Sequence, residues 1–191
     1  MSNNSLYIFD FDDTLVDSGA KVKVIRDDGA EDLYSSREYR DYDRKYKRPG
    51  DVLNLDEFDV DPPGASVIQG PWDEFLSALQ TAGPQHVMIL TARANDVPVR
   101  EFLIQAGVNP LPAIEAVGDS NPDKKKSKVR EYVERLQITS VYLWEDSPNN
   151  IRAIESLANE IPGLTFTTKL VTTESVIRRF IREILREISW K

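Results

Sequence analysis

The chain has no cysteine and a single histidine, His86. The first absence excludes disulfides, thiolate metal sites and a cysteine nucleophile. The second excludes a zinc centre built mainly from imidazoles. No apolar run approaches the length of a membrane span, and the N-terminus lacks a basic and apolar leader. The expectation is a reducing, cytoplasmic setting with no membrane partner. Positive charge is also in short supply. With 24 Lys and Arg against 32 Asp and Glu, the net charge of −8 gives the surface as a whole no electrostatic grip on nucleic acid. Neither an internal repeat nor a low-complexity linker is present. What remains is ordinary globular composition, 40% hydrophobic and 29% charged over 191 residues, enough for one packed domain (1–191) carrying an insert.

Strands and helices alternate along most of this length. Leu6 to Phe9 is a short aromatic and β-branched run, read as a buried strand. Further strands are expected at His86 to Leu90, Leu111 to Val117, Ser140 to Trp144 and Leu164 to Val171; Pro112 makes the second of these short or an edge. Helices are expected at Trp72 to Ala82, Val97 to Ala106, Lys128 to Leu136 and Asn149 to Ala158. The pattern predicts an α/β fold, a Rossmann-like doubly wound parallel sheet with helices on both faces. Residues 17–70 break the rhythm. Lys21 to Ile25 alternates like a half-exposed strand, Asp27-Asp28-Gly29 turns it into a hairpin, and Ser35 to Glu38 can cap a helix carrying Tyr39, Tyr42 and Tyr46. This segment reads as a small cap or insert after the first strand, or as a solvated excursion. Residues 172–191 read as a C-terminal amphipathic helix, with Val176, Ile177, Phe180, Ile181, Ile184, Leu185 and Ile188 on one side and four arginines on the other. It suits packing on the sheet, a homodimer contact or a phosphate-rich partner.

Sites in such sheets lie at the carboxyl ends of the strands. The first strand runs into Asp10-Phe11-Asp12-Asp13-Thr14, the second into Thr91-Ala92-Arg93, and the fourth into Glu145-Asp146-Ser147. These polar ends converge on one rim. Asp10 and Asp12, two apart, leave the strand on the same side, and paired carboxylates repel unless something compensates, most readily a divalent cation.

In this order the segments resemble the motifs of the haloacid dehalogenase-like (HAD) superfamily of phosphohydrolases. The first motif is Asp10 to Thr14, the second Ile89 to Arg93, and the fourth Leu143 to Ser147. The third, a lysine about three residues ahead of a helix's first apolar position, fits Lys126 before Val129, with Lys125 and Lys128 as alternatives. The likeness covers roughly residues 5 to 160. It implies a Mg²⁺-dependent phosphatase in which Asp10 attacks a phosphate monoester to form an aspartyl-phosphate and Asp12 serves as acid and base. It also implies that Thr91 and Lys126 bind the phosphate. Arg93 either reaches substrate or screens carboxylates. Mg²⁺ would be held by Asp10, the Asp12 backbone carbonyl and Asp146, with Glu145 holding a metal-bound water. The implied substrate is a phosphorylated small molecule or nucleotide; alternatives are a 3′- or 5′-phosphatase on nucleic-acid ends, and a catalytically idle scaffold that binds a partner through its last helix. Thr91 also fits a simple helix cap, and His86 a structural role.

Overall fold

Strand β1 (Ser5–Phe9) is the centre of a five-stranded parallel sheet with β7 (Val87–Thr91), β8 (Ala113–Ala116), β9 (Ser140–Glu145) and β10 (Thr165–Leu170). The order across the sheet is β10-β9-β1-β7-β8. The computed structural model describes residues 4–35, 38–39, 48–60 and 64–172. The chain leaves β1 toward β7 and β8, then returns to the other side of β1 to place β9 and β10. The switch point of this Rossmann-like topology therefore falls between β1 and β9, where open α/β sheets leave a crevice at their strand ends.

Alternation sorts the strand side chains onto two faces. Leu6, Ile8, Met88, Leu90, Val141 and Leu143 meet Val129, Tyr132 and Val133 of helix α3 (Pro122–Leu136) and Ile154 of α4 (Pro148–Glu155). On the other face Phe9, Val87, Ile89 and Trp144 meet Trp72, Phe75 and Ala78 of α1 (Gln69–Ala82) and Val99 and Leu103 of α2 (Val97–Gln105). This second face is aromatic. Phe9 stacks on Trp144 at 4.3 Å between ring centroids and meets Phe75 edge-on at 5.4 Å. The elements fall near their expected positions, with α1 beginning at Gln69 and α3 already at Pro122.

Between β1 and α1 the chain makes an excursion whose neck is a two-stranded antiparallel pair, β2 (Val16–Asp17) with β6 (Ser66–Val67). Within it, β3 (Lys21–Ile25) pairs with β4 (Glu31–Ser35) and β5 (Val52–Asn54) in a three-stranded antiparallel sheet of order β4-β3-β5. The hairpin expected at Asp27-Asp28-Gly29 is present, with Gly29 at φ 81 in its turn. Val22 and Val24 bury a small core of their own against Tyr34, Leu53 and Phe58, the last from a 3₁₀ turn at Asp56–Phe58. Arg26 pins this sheet through Asp32 at 2.6 Å and Asp51 at 3.3 Å. Ser35 and Glu38 make the reciprocal capping hydrogen bonds the sequence suggested. Tyr42 and Tyr46 of the helix expected there, and the C-terminal amphipathic helix, lie outside the described residues. No described helix is long and apolar enough to cross a membrane.

Phe9 joins the central strand to the aromatic layer, so Phe9→Ala should lower unfolding free energy by about 3–5 kcal/mol in urea titration, the usual cost of emptying an aromatic core position. Leu33→Ala in the insert, 59% exposed, should change it by no more than about 0.5 kcal/mol.

Candidate active site at the carboxyl rim of the sheet

The β1–β9 register pairs Phe9 with Trp144 and ends with the Asp10 backbone N–H donating to the Trp144 carbonyl at 2.9 Å. Asp10 and Glu145 are consequently neighbours across the switch point. Both continue the phase of the aliphatic face, after Leu6 and Ile8 on one strand and Val141 and Leu143 on the other, so both point toward α3. They are buried, at 6% and 1% exposure. Two carboxyl groups side by side in a low-dielectric pocket need a positive partner. The partner is Lys125. Its Nζ donates to Asp10 Oδ1 at 2.6 Å and to Glu145 Oε2 at 2.8 Å.

Helix phase selects this lysine. Asn121 caps α3 by accepting from the Asp123 backbone N–H at 3.0 Å, and the helix starts at Pro122. From that start Lys125 shares one face with Val129, Tyr132 and Val133, at i+4, i+7 and i+8. Lys126, the position favoured by sequence spacing, is rotated by roughly 100°. It lies on Glu160 at 2.6 Å, beside Arg130, which bonds the same carboxylate. Lys128 lies on Glu131 at 2.8 Å and Glu115 at 3.4 Å. The lysine that meets Asp10 and Glu145 is therefore Lys125, whereas Lys126, the position expected to bind phosphate, is a surface ion pair with Glu160.

Burial pushes the Asp10 carboxyl well above its ordinary range, Glu145 and Asp146 add to this, and Lys125 opposes it. Burial works against the Lys125 charge, but Asp10 and Glu145 more than offset it and hold the ammonium above its usual range.

After β1 the chain folds into a tight turn. The Leu15 and Val16 N–H groups both donate to the Phe11 carbonyl, at 3.0 and 2.9 Å, and Asp13 takes φ 59. Asp is among the residues that tolerate this left-handed conformation best. Buried Phe11, Leu15 and Val16 anchor the turn in the aromatic core, while Thr14 donates to Asp10 Oδ2 at 3.2 Å. Asp12 emerges on top. Both its oxygens are held by Arg93, Nε to Oδ2 at 2.8 Å and an Nη to Oδ1 at 2.7 Å.

Thr91 ends β7 buried, and its hydroxyl accepts from the Arg93 N–H at 3.2 Å, so within the protein it shapes the loop that carries Arg93. Of the acidic residues, Asp10, Glu145 and Asp146 each offer a carboxylate oxygen within 4.8 Å of the others, a grouping that could hold a metal ion. Carboxylate oxygens gathered in this way suit a divalent cation with oxygen preference. Glu145 has both oxygens engaged within the protein, as Asp10 does through Lys125 and Thr14. One Glu145 oxygen is taken by Lys125 and the other accepts from the Ser147 N–H at 3.1 Å. Glu145 thus orients Lys125 and the start of α4. Asp12, expected to contribute its backbone carbonyl, has its carboxylate engaged by Arg93. His86 is structural, its Nδ1 within 3.1 Å of the Ser5 carbonyl.

Sequence spacing missed two features, the register that makes Glu145 a partner of Lys125 and the reach of Arg93 to the Phe58 carbonyl in the insert, 2.7 Å away. The acidic end of β9 hinted at the first. Only tertiary contact reveals the second.

Replacing Lys125 by Met should cost about 3–5 kcal/mol of unfolding free energy, because it leaves buried carboxyl groups uncompensated. Lys126→Met should cost less than about 1 kcal/mol. Denaturant titration of both variants reads the difference, and equal costs would contradict the assigned helix phase. Comparisons with family models, with curated proteins and with solved structures find no match to this chain, so the chemistry of this rim rests on its own geometry.

Proposed function

We propose that the chain is a Mg²⁺-dependent phosphatase of the HAD type, acting on phosphate monoesters through an aspartyl-phosphate on Asp10. The observation that carries this reading is the buried Lys125 ammonium bridging Asp10 and Glu145 at the topological switch point. An acidic side chain so placed, with a fixed positive charge beside it and a hydroxyl on its second oxygen, is equipped to meet a phosphoryl group. Phosphoryl transfer asks a protein chiefly for in-line positioning and charge neutralisation.

In this scheme an Asp10 carboxylate oxygen attacks phosphorus and the bond from phosphorus to the alcohol oxygen breaks. Asp12, carried on the turn above, donates a proton to the departing alkoxide. Asp12 then takes a proton from water as that water attacks phosphorus, inorganic phosphate leaves, and Asp10 is regenerated. Lys125 offsets charge on the Asp10 side, and the Thr91 hydroxyl offers a hydrogen bond to a phosphoryl oxygen. Bound Mg²⁺, for which Asp10, Glu145 and Asp146 are the candidate holders, would neutralise phosphate charge. The acidic insert, with Asp56, Glu57 and Asp59 in and beside its 3₁₀ turn, favours a small phosphate ester over a polyanionic strand.

Purified protein should hydrolyse an aryl phosphate with Mg²⁺ and lose that activity with chelator or with Asp10→Asn; full activity in Asp10→Asn would rule out the nucleophile. A panel of nucleotides, sugar phosphates and phosphorylated oligonucleotides then ranks substrates.

Cation binding has a pH signature. Because the folded Asp10 carboxyl sits above its unfolded value, protonating it stabilises the cation-free fold as pH falls, and the same proton competes with the cation. Mg²⁺ at about 100 times its Kd contributes about 2.7 kcal/mol of stability, or about 5–10 °C in Tm for a chain of this size. The shift should shrink as pH falls and vanish in Asp146→Asn. A shift that does not change with pH would contradict the involvement of Asp10.

A further inference from the structure

Arg93 is buried, at 3% exposure, and belongs to neither the lysine bridge nor the carboxylate group that could take a cation. Its guanidinium holds both oxygens of Asp12 in a bidentate pair, the geometry that fixes a carboxylate most tightly. Its remaining terminal nitrogen donates to the Phe58 carbonyl at 2.7 Å. Its guanidinium carbon also lies over two rings, 5.2 Å from the Phe11 centroid and 5.6 Å from that of Phe58. Phe11 belongs to the turn that carries Asp12, and Phe58 to the small core of the insert. One side chain therefore touches the Asp12 carboxylate, the turn beneath it and the inserted sheet.

We propose that Arg93 is the positioning residue for Asp12 and couples its orientation to the seating of the insert against the rim. The proposal rests on the phosphatase reading for the role of Asp12; the tie to the insert stands on geometry alone. A carboxylate on a short turn has rotamer freedom, and a proton donor contributes only when held within reach of the leaving oxygen. Arg93 removes that freedom, and it does so fully only while Phe58 is in place to fill its other donor and cover its face. Lysine cannot substitute, having no planar fork that reaches both partners at once.

The test uses the full chain with Mg²⁺ and two substrates, 4-nitrophenyl phosphate, whose leaving group needs little protonation, and an alkyl phosphate, whose leaving group needs a proton. Arg93→Met should lower kcat on the alkyl phosphate by about 10²-fold or more and on 4-nitrophenyl phosphate by less than about 10-fold, matching the asymmetry of Asp12→Asn. In the same variant, backbone amides of Val52–Asn54 and Asp56–Phe58 should exchange hydrogen faster while those of the central sheet do not change. Arg93→Lys keeps the buried charge and secures a reading if the Met variant does not fold; it should show the same asymmetry, reduced, with the same faster exchange. Equal losses on both phosphates, or unchanged exchange in the insert, would overturn the proposal. A wild-type protein inactive on both phosphates would instead overturn the phosphatase reading and the positioning role with it. The exchange measurement would still decide whether Arg93 ties down the insert.

Discussion

The rim depends on one electrostatic constraint. Two carboxyl groups, on Asp10 and Glu145, end adjacent parallel strands in register and face into the same apolar layer, and a single ammonium must serve both. Desolvation makes such a grouping costly unless every member is satisfied, so the arrangement constrains what surrounds it. Strand register has to hold, because slipping β9 by one residue would bring Trp144 to the position of Glu145 and turn the carboxylate to the other face. Helix α3 has to extend back far enough to carry Lys125. The aliphatic layer below has to be tight enough to hold both elements still, and Leu6, Ile8, Leu143 and Val129 are each at most 1% exposed.

The sheet's two faces divide the labour. The aromatic face, with Phe9 between Trp144 and Phe75, supplies broad buried area and rigid contacts. It also holds the turn after β1, since Phe11, Leu15 and Val16 are rooted in it. The aliphatic face supplies a smooth bed for α3 and carries the charged cluster at its upper edge. Asp10 and Asp12 are two residues apart yet draw on different neighbours as a result. Asp10 answers to the helix on one face, whereas Asp12 answers to Arg93 and, through it, to the inserted sheet.

Much of the fold was legible in the sequence because apolar runs and helical spacing report burial directly. The strands at Leu6 to Phe9, His86 to Leu90 and Ser140 to Trp144, the polar residues at their ends and the hairpin at Asp27-Asp28-Gly29 all emerge from local pattern. What was not legible depended on phase or on distance. The lysine run 124–128 offers several cations, and the first apolar residue, Val129, is consistent with more than one start for the helix. Spacing to Val129, Tyr132 and Val133 turns Lys125 inward only because the helix reaches back to Pro122. Glu145 read as a water-holding neighbour of the cation, because its role follows from register with Asp10 across 135 residues of chain. Arg93 was visible as a charge near the rim, but Phe58 lies in a stretch with no periodicity linking it to anything.

Asn121 has a consequence of its own. It touches neither Asp10 nor Glu145, yet by capping the first turn of α3 it keeps the helix wound as far back as Lys125. Fraying of that turn would loosen the ammonium from both carboxyl groups while the apolar stripe of the helix stayed in place. The start of α3 is thus a place where a change of cap alters the charge of a pocket formed by other segments. Selection on this pocket would register there as a demand for a capping side chain.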